Sequence, residues 1–341
     1  MKVLSKNFSQ KGLWLDDRDI PTVGHTDVLI RVTKTAICGT DLHIYNWDKW
    51  SQQTIKTPAV LGHEFVGVVE KVGEGVESVV EGDRVSAEGH LVCNQCRNCK
   101  AGKRHHCKNT KGLGIHTDGA FAEFVKVPES NIYKISDSVS DEEAAIFDPF
   151  GNAVFSALRV SVAGEDVLIT GAGPVGCLTA LICQHLGARH IVVTDVNDYR
   201  LNLLEGEPRI KTVNVKREKL EDMISSLRMK EGFDVLYEMS GNQSAFNDLI
   251  EYSRYGAHII NLGIFQEEAK IDINKMIFKS LTFHGIYGRE MYDSWYKMVS
   301  FIESGLNIKK LITHTFPYTE YEEGFKLLNN GAACKVILDW S

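Results

Sequence analysis

The chain has 341 residues, 43% hydrophobic and 24% charged, with a formal net charge of −7. That length exceeds one ordinary core and implies two domains, and the mixed charge excludes a basic nucleic-acid stripe or an acidic tail. No apolar run reaches the roughly 18 residues that cross a bilayer, and the start MKVLSKNFSQKG lacks the apolar core of a signal peptide, so a cytoplasmic protein with no membrane or nucleic-acid partner is expected.

In chain order, the first elements read as short strands joined by glycine turns: residues 27–32 (DVLIRV), 65–72 (FVGVVEKV), a third beginning at 83–85, and 120–127 (AFAEFVKV). This spacing predicts a β-rich, partly barrel-like domain. Between the first two strands lies Cys38-Gly39-Thr40-Asp41-Leu42-His43, and just before the second stands Gly62-His63-Glu64, continued by Gly67, Gly73 and Val76. A cysteine, a histidine and an acid in separate segments are a candidate set of three zinc ligands, which leaves a fourth position exchangeable.

The polar stretch 88–113 carries Cys93, Cys96, Cys99 and Cys107. Four thiolates on a short loop are a ready tetrahedral site, and zinc prefers tetrahedral sulfur. An iron–sulfur run would place the fourth cysteine sooner and follow it with proline, so a cluster is the weaker reading. A closed four-cysteine site holds structure and performs no chemistry. His105 and His106 are then surplus to that site and are expected to be solvated. His90 precedes the cysteines and follows Glu88; facing the substrate pocket and bonding within the loop are both open to it. Cys177, Cys183 and Cys334 read as small buried hydrophobes.

The pattern changes near Asp148. Strands are predicted at 167–170, 190–194, 212–215, 234–238, 258–262 and 282–286, with helical segments between most of them. Strand–helix alternation implies a parallel sheet, and six strands fit a doubly wound dinucleotide fold. The first strand runs into Gly171-Ala-Gly173-Pro-Val-Gly176, which opens a helix reaching about Leu186, the context that gives this glycine pattern its meaning. Asp195 at the next strand end can accept from ribose hydroxyls and repel a 2′-phosphate, which favours NAD over NADP. Arg200 argues the other way, because an arginine nearby can accommodate that phosphate. Gly206 and Pro208 should stop the helix that follows Asp195 early. A helix is expected over 291–304, and a strand at 335–338 that rejoins the first domain.

In order and spacing, the Cys38 segment, Gly62-His63-Glu64, the four-cysteine lobe and the glycine fingerprint resemble the zinc-dependent medium-chain alcohol dehydrogenases over essentially the full chain. The resemblance implies an α/β protein with a Rossmann parallel-sheet domain and a GroES-like β-rich catalytic domain. It divides the chain into a catalytic domain (1–147, lobe at 88–113), an NAD domain (148–290) and a segment returning to the first domain (291–341). Residues 36–48, 147–154 and 285–291 narrow it to the branch that oxidises L-threonine at C3.

By that resemblance Cys38, His63 and Glu64 would bind a catalytic zinc and Cys93, Cys96, Cys99 and Cys107 a structural one, two zinc ions per chain. Thr40 and His43 would form a proton relay, and Asp148 would stand beside the catalytic metal, acting through water because its side chain is short. Asp148 as a helix N-cap is the plainer reading. Val175, Asp195, Arg200, Leu262, Gly263, Ile264, Ile286 and Tyr287 would line the NAD site together with the glycines. A homotetramer and a downstream CoA ligase that consumes the product are implied in the same way. A polyol or vicinal-diol dehydrogenase, and a non-catalytic dinucleotide-binding protein, remain as alternatives.

Overall fold

The computed structural model describes residues 1–341 and separates into two compact units. The first comprises Met1–Asp148, Glu290–Glu303 and Ile312–Ser341; the second comprises Pro149–Arg289 and Ser304–Leu311.

In the first unit the ten-residue strand Asp27–Ala36 is the organiser. Phe65–Val72 pairs along one edge of it, with two register shifts. The other edge is shared, by Phe124–Pro128 against residues 27–31 and by Lys335–Asp339 against residues 34–36. The sheet extends through Arg84–Ala87 and Ile132–Lys134 on one side and, beyond Lys335–Asp339, through Ile312–Pro317 on the other. Alternating side chains pack inward around Val28, Ile30, Val32, Phe65, Val69, Val85, Val125, Val127, Val336 and Leu338. A second sheet, Trp14–Asp17, Lys2–Lys6 and Ala59–Val60, was not foreseen. The strand expected from residue 120 begins at Phe124 instead. Ala120 and Phe121 are spent on Gly62 and Leu61, whose carbonyls accept from their N–H groups at 2.8 Å each.

The second unit is a six-stranded, wholly parallel sheet. Numbered by appearance, its strands run 3-2-1-4-5-6, the doubly wound order. Asp166–Thr170 is the first strand, and all five of its residues are buried, as a strand covered on both faces must be. The strands end flush: Thr170 stands beside Thr194 and Glu238, Asp195 beside Asn214, and Glu238 beside Asn261. This aligns the loops that follow each strand along one edge. The helix after Asp195 spans only Asp198–Asn202. No helix is long and apolar enough to cross a membrane.

Candidate active site

Backbone pairing assembles the first cluster. Ala36 donates its N–H to the Glu64 carbonyl and Ile37 donates to the Val336 carbonyl, each at 3.0 Å. Cys38 follows directly, as the N-cap of helix α1 (Gly39–Asn46). Gly62 has φ +90, and a Cβ there would lie 2.7 Å from the Phe121 nitrogen, so only glycine turns the chain to present His63. The ligand atoms of Cys38, His63 and Glu64 lie within 4.8 Å of one another.

Asp41 sits beneath them, fully buried at the third position of α1. One carboxylate oxygen accepts the Cys38 N–H at 2.9 Å. The other faces His63 Nδ1 across 4.0 Å, beyond hydrogen-bond reach but on the side of the ring where a carboxylate orients a metal-bound histidine. Glu64 is held by the buried Lys335, whose ammonium also donates to the Ile37 carbonyl at 2.8 Å. Asp148 reaches the same ground: a Cβ on Gly89 would lie 3.5 Å from His63 Cβ and 3.7 Å from an Asp148 carboxylate oxygen. Asp148 lies inside the first turn of helix Phe147–Ala157 and is not its N-cap.

The electrostatics of this cluster call for a cation. Burial drives the Asp41 and Glu64 carboxyls above their usual range. Burial disfavours a charged His63, yet Cys38, Asp41 and Asp148 outweigh it and raise its proton affinity. Asp41 Oδ1, His63 Nδ1 and Glu64 Oε1 are buried with no hydrogen-bond partner. The orphaned Glu64 oxygen, grouped with the Cys38 thiol and the His63 imidazole, fits zinc, which binds these donor types.

Thr40 and His43 lie three residues apart on α1, so they share a helix face. His90 is gripped by Glu88, a fully buried carboxylate. One Glu88 oxygen accepts from the His90 N–H at 3.0 Å and pairs with ring Nδ1 at 2.7 Å. The other accepts the Trp295 indole N–H at 3.0 Å. Gly89, between these two residues, carries the loop against His63 and Asp148.

The four other cysteines close on themselves. Sγ–Sγ distances of 3.5, 3.5 and 4.0 Å link Cys96 to Cys99, Cys107 to Cys93 and Cys96 to Cys107. A tetrahedron with Zn–S bonds of ~2.3 Å has edges of about 3.8 Å, so the set fits zinc. Amide N–H groups of Gln95 and Cys96 hold the Cys93 thiol down at about 6, ready to be a thiolate. His105, expected to be solvated, is instead buried, with its ring 4.1 Å from that of His106 at a 53° tilt, and burial lowers its pKa, whereas His106 is exposed.

The second unit holds every residue expected at the cofactor site at its aligned strand ends or in the turns and helix starts that follow them. A Cβ on Gly176 would lie 1.9 Å from the Gly171 carbonyl oxygen, so the helix can approach the strand only as glycine. A Cβ on Gly173 would project into open space, the kind of clearance a pyrophosphate fills. The helix Pro174–His185 begins there, and its unpaired N–H groups favour an anion. The Asp195 carboxylate accepts the N–H groups of Ala172, Val196 and Asn197 at 2.7, 2.7 and 2.9 Å. It is thereby fixed at the strand end: Oδ1 accepts two N–H groups, and Oδ2 accepts one and keeps acceptor capacity. Arg200 follows on the next helix, its buried Nε unpartnered. Leu262 and Gly263 both donate to the Glu238 carbonyl, and Ile286 donates to the Asn261 carbonyl. Ile264 and Tyr287 are exposed and Val175 is half-buried.

Asp41, Glu88, Trp295 and Lys335 escaped the sequence reading. Asp41 had a local signal, an acid at the third position of a helix after a polar cap; Lys335 had none.

Residues 24–137 match the family model for the alcohol dehydrogenase GroES-like domain, and residues 174–304 match that for zinc-binding dehydrogenase. An L-threonine 3-dehydrogenase of Pseudoalteromonas atlantica is 54% identical over 340 residues, covering 100% of both chains. Among solved structures, one described as a short chain alcohol dehydrogenase from E. coli, complexed with the cofactor NADH, superposes with a TM-score of 0.88 at 27% identity, covering 100% of this chain and 99% of that one. The 2R,3R-butanediol dehydrogenase of Bacillus subtilis superposes with a TM-score of 0.88 at 26% identity and the same coverage.

Proposed function

Because the chain belongs to the zinc-dependent medium-chain alcohol dehydrogenases, we propose that it oxidises L-threonine at C3 with NAD, giving 2-amino-3-oxobutanoate and NADH. The observation that carries this reading is the Cys38–His63–Glu64 cluster, two half-buried ligands and a buried carboxylate with an orphaned oxygen, in a chain 54% identical end to end to an L-threonine 3-dehydrogenase.

Cys38, His63 and Glu64 hold the catalytic zinc. When bound, the metal supplies Lewis acidity that brings the substrate hydroxyl's pKa toward neutrality. Asp41 orients His63, and Lys335 balances the charge of Glu64. Asp148 adds negative charge beside the metal and acts through water. Thr40 passes the hydroxyl proton to His43, whose exposed ring delivers it to solvent. His90, braced by Glu88, faces the substrate and selects for the amino acid. Gly171, Gly173, Val175, Gly176, Asp195, Arg200, Leu262, Gly263, Ile264, Ile286 and Tyr287 bind NAD, with Asp195 favouring it over NADP. Cys93, Cys96, Cys99 and Cys107 hold a second, structural zinc.

In this reading residues 1–147 are the catalytic domain, 148–290 the NAD domain and 291–341 the returning segment. The enzyme works in the cytoplasm as a homotetramer, and its unstable product passes to a CoA ligase. A vicinal-diol dehydrogenase is the second reading, favoured by the superposition on the butanediol enzyme.

The deciding experiment is NAD-linked oxidation of L-threonine, its stereoisomers, 2,3-butanediol and sugar alcohols by the zinc-loaded protein. L-Threonine should give the highest kcat/KM. A diol or polyol oxidised with far higher kcat/KM would overturn the assignment.

A further inference from the structure

His43 does not stand alone on α1. The helix is closed by Trp47 in the left-handed conformation (φ 56, ψ 49), with its N–H bonded to the Ile44 carbonyl at 3.2 Å. This cap folds the chain back, so that Asp48, five residues after His43, lies against the helix's last turn. Asp48 is also the N-cap of α2 (Lys49–Thr54). Its Oδ1 accepts both the N–H and the hydroxyl of buried Ser51 at 2.9 Å. Its Oδ2 pairs with His43 Nδ1 at 2.5 Å. The Trp50 ring stands edge-on to the imidazole at 6.2 Å between centroids.

The two oxygens of this carboxylate thus divide their roles. One is pinned by the start of α2, and the other meets the ring. Burial works to raise the Asp48 carboxyl, but the Ser51 and His43 hydrogen bonds hold it below the usual range. An ionised carboxylate only accepts, so the proton of a neutral His43 must sit on Nδ1, which leaves the Nε2 lone pair as the base. A hydroxyl, an imidazole and a carboxylate in this order are the arrangement in which the acid fixes the tautomer and steadies the imidazolium that forms.

Resting on the proton relay of the reading above, we propose that Asp48 is a positioning residue for that relay: it grips His43 by Nδ1, so that Nε2 accepts the proton from Thr40. As Thr40 Oγ takes the substrate's hydroxyl proton, its own proton passes to His43 Nε2. The imidazolium is balanced by Asp48 until a proton leaves to water from the ring, whose side chain is 48% exposed. No bond other than O–H and N–H changes.

The test is Asp48→Asn, which keeps the oxygen that caps α2 but offers an amide donor to Nδ1 in place of an acceptor. In protein labelled with 15N in the histidine ring, His43, assigned by its loss in His43→Gln, should show the Nδ1–H tautomer. In Asp48→Asn it should move to the Nε2–H form. The kcat for L-threonine with zinc-loaded enzyme should fall about ten- to a hundredfold, while KM and NADH affinity stay within about twofold. Asp48→Asn should cost nothing further in a His43→Gln background. An Nε2–H tautomer in the unaltered protein overturns the proposal, as does an equal loss of kcat with and without His43. Wild-type turnover by His43→Gln overturns it as well, but by removing the relay itself, and the ring spectrum then tells that failure apart from an absent Asp48 contact.

Discussion

Lys335 and Glu64 are both buried to within about one percent of full coverage, and they meet as an ion pair. Such a pair contributes little net stability, because two charges have been taken out of water, but removing one partner leaves the other uncompensated. Lys335→Met should therefore destabilise the zinc-free protein by about 3–5 kcal/mol in urea unfolding. The sign with pH follows from Glu64, whose folded pKa is raised, chiefly by burial: the penalty should grow as pH rises and Glu64 ionises, and shrink in acid. A variant as stable as wild type at neutral pH would mean that Lys335 does not hold Glu64. Cys38 is the complementary case, half-buried with its backbone tied down by Asp41. Cys38→Ser keeps that N–H bond and the helix cap, so fold and NADH binding should persist. Turnover should drop by roughly a thousandfold, the several kcal/mol a Lewis acid supplies. Steady-state assay beside fluorescence titration of NADH separates the two effects. His63 and Glu64 were legible because they are adjacent to each other and follow a glycine that only one backbone conformation explains. Asp41 was legible as a polar helix start but not as the neighbour of His63, because that neighbour comes from the separate loop before Phe65–Val72.

At the scale of elements, local spacing carries the most. The turn from Thr170 into Pro174–His185 is set by glycines whose Cβ atoms would strike backbone or fill the cofactor's clearance. Such constraints act within a few residues and therefore show in the sequence. The four-cysteine loop is similar: its short helix Arg97–Lys100 and the turn Arg104–His106 exist to bring sulfurs within one tetrahedron. Having no substantial core of its own, the loop depends on the metal for its shape. Cys99→Ser should lower the melting temperature by about 5 °C or more and release zinc, measured by calorimetry and metal analysis. The kcat of the zinc-loaded remainder should change by less than about twofold. A variant with unchanged melting but little turnover would place these cysteines in the chemistry. The strand boundary misread at residue 120 has the opposite origin. Its apolar alternation is real, but the hydrogen bonds of Ala120 and Phe121 go to residues 61 and 62, and no periodicity names a partner.

Across the whole molecule, each unit has a core of its own, but the first is assembled from three sequence segments and the last supplies an interior strand. Lys335–Asp339 lies between Asp27–Ala36 and Ile312–Pro317. Ending the chain at Cys334 removes that strand and Lys335 together. The first unit should then become fully sensitive to protease while a resistant fragment within residues 149–311 survives, as read by mass spectrometry of limited digests. Protection of residues 1–148 in the shortened protein would show the strand to be dispensable. The sequence by itself determined the family, the strand–helix alternation of the second unit, the two sets of candidate metal ligands and the cofactor fingerprint, because each is written in spacings of a few residues that strand period, helix turn and glycine geometry enforce. Only the tertiary structure decided which charges answer those ligands. Trp295 reaches Glu88 across 207 residues and Lys335 reaches Glu64 across 271. A buried polar group must find a partner, but sheet pairing, and not local spacing, chooses which one it meets.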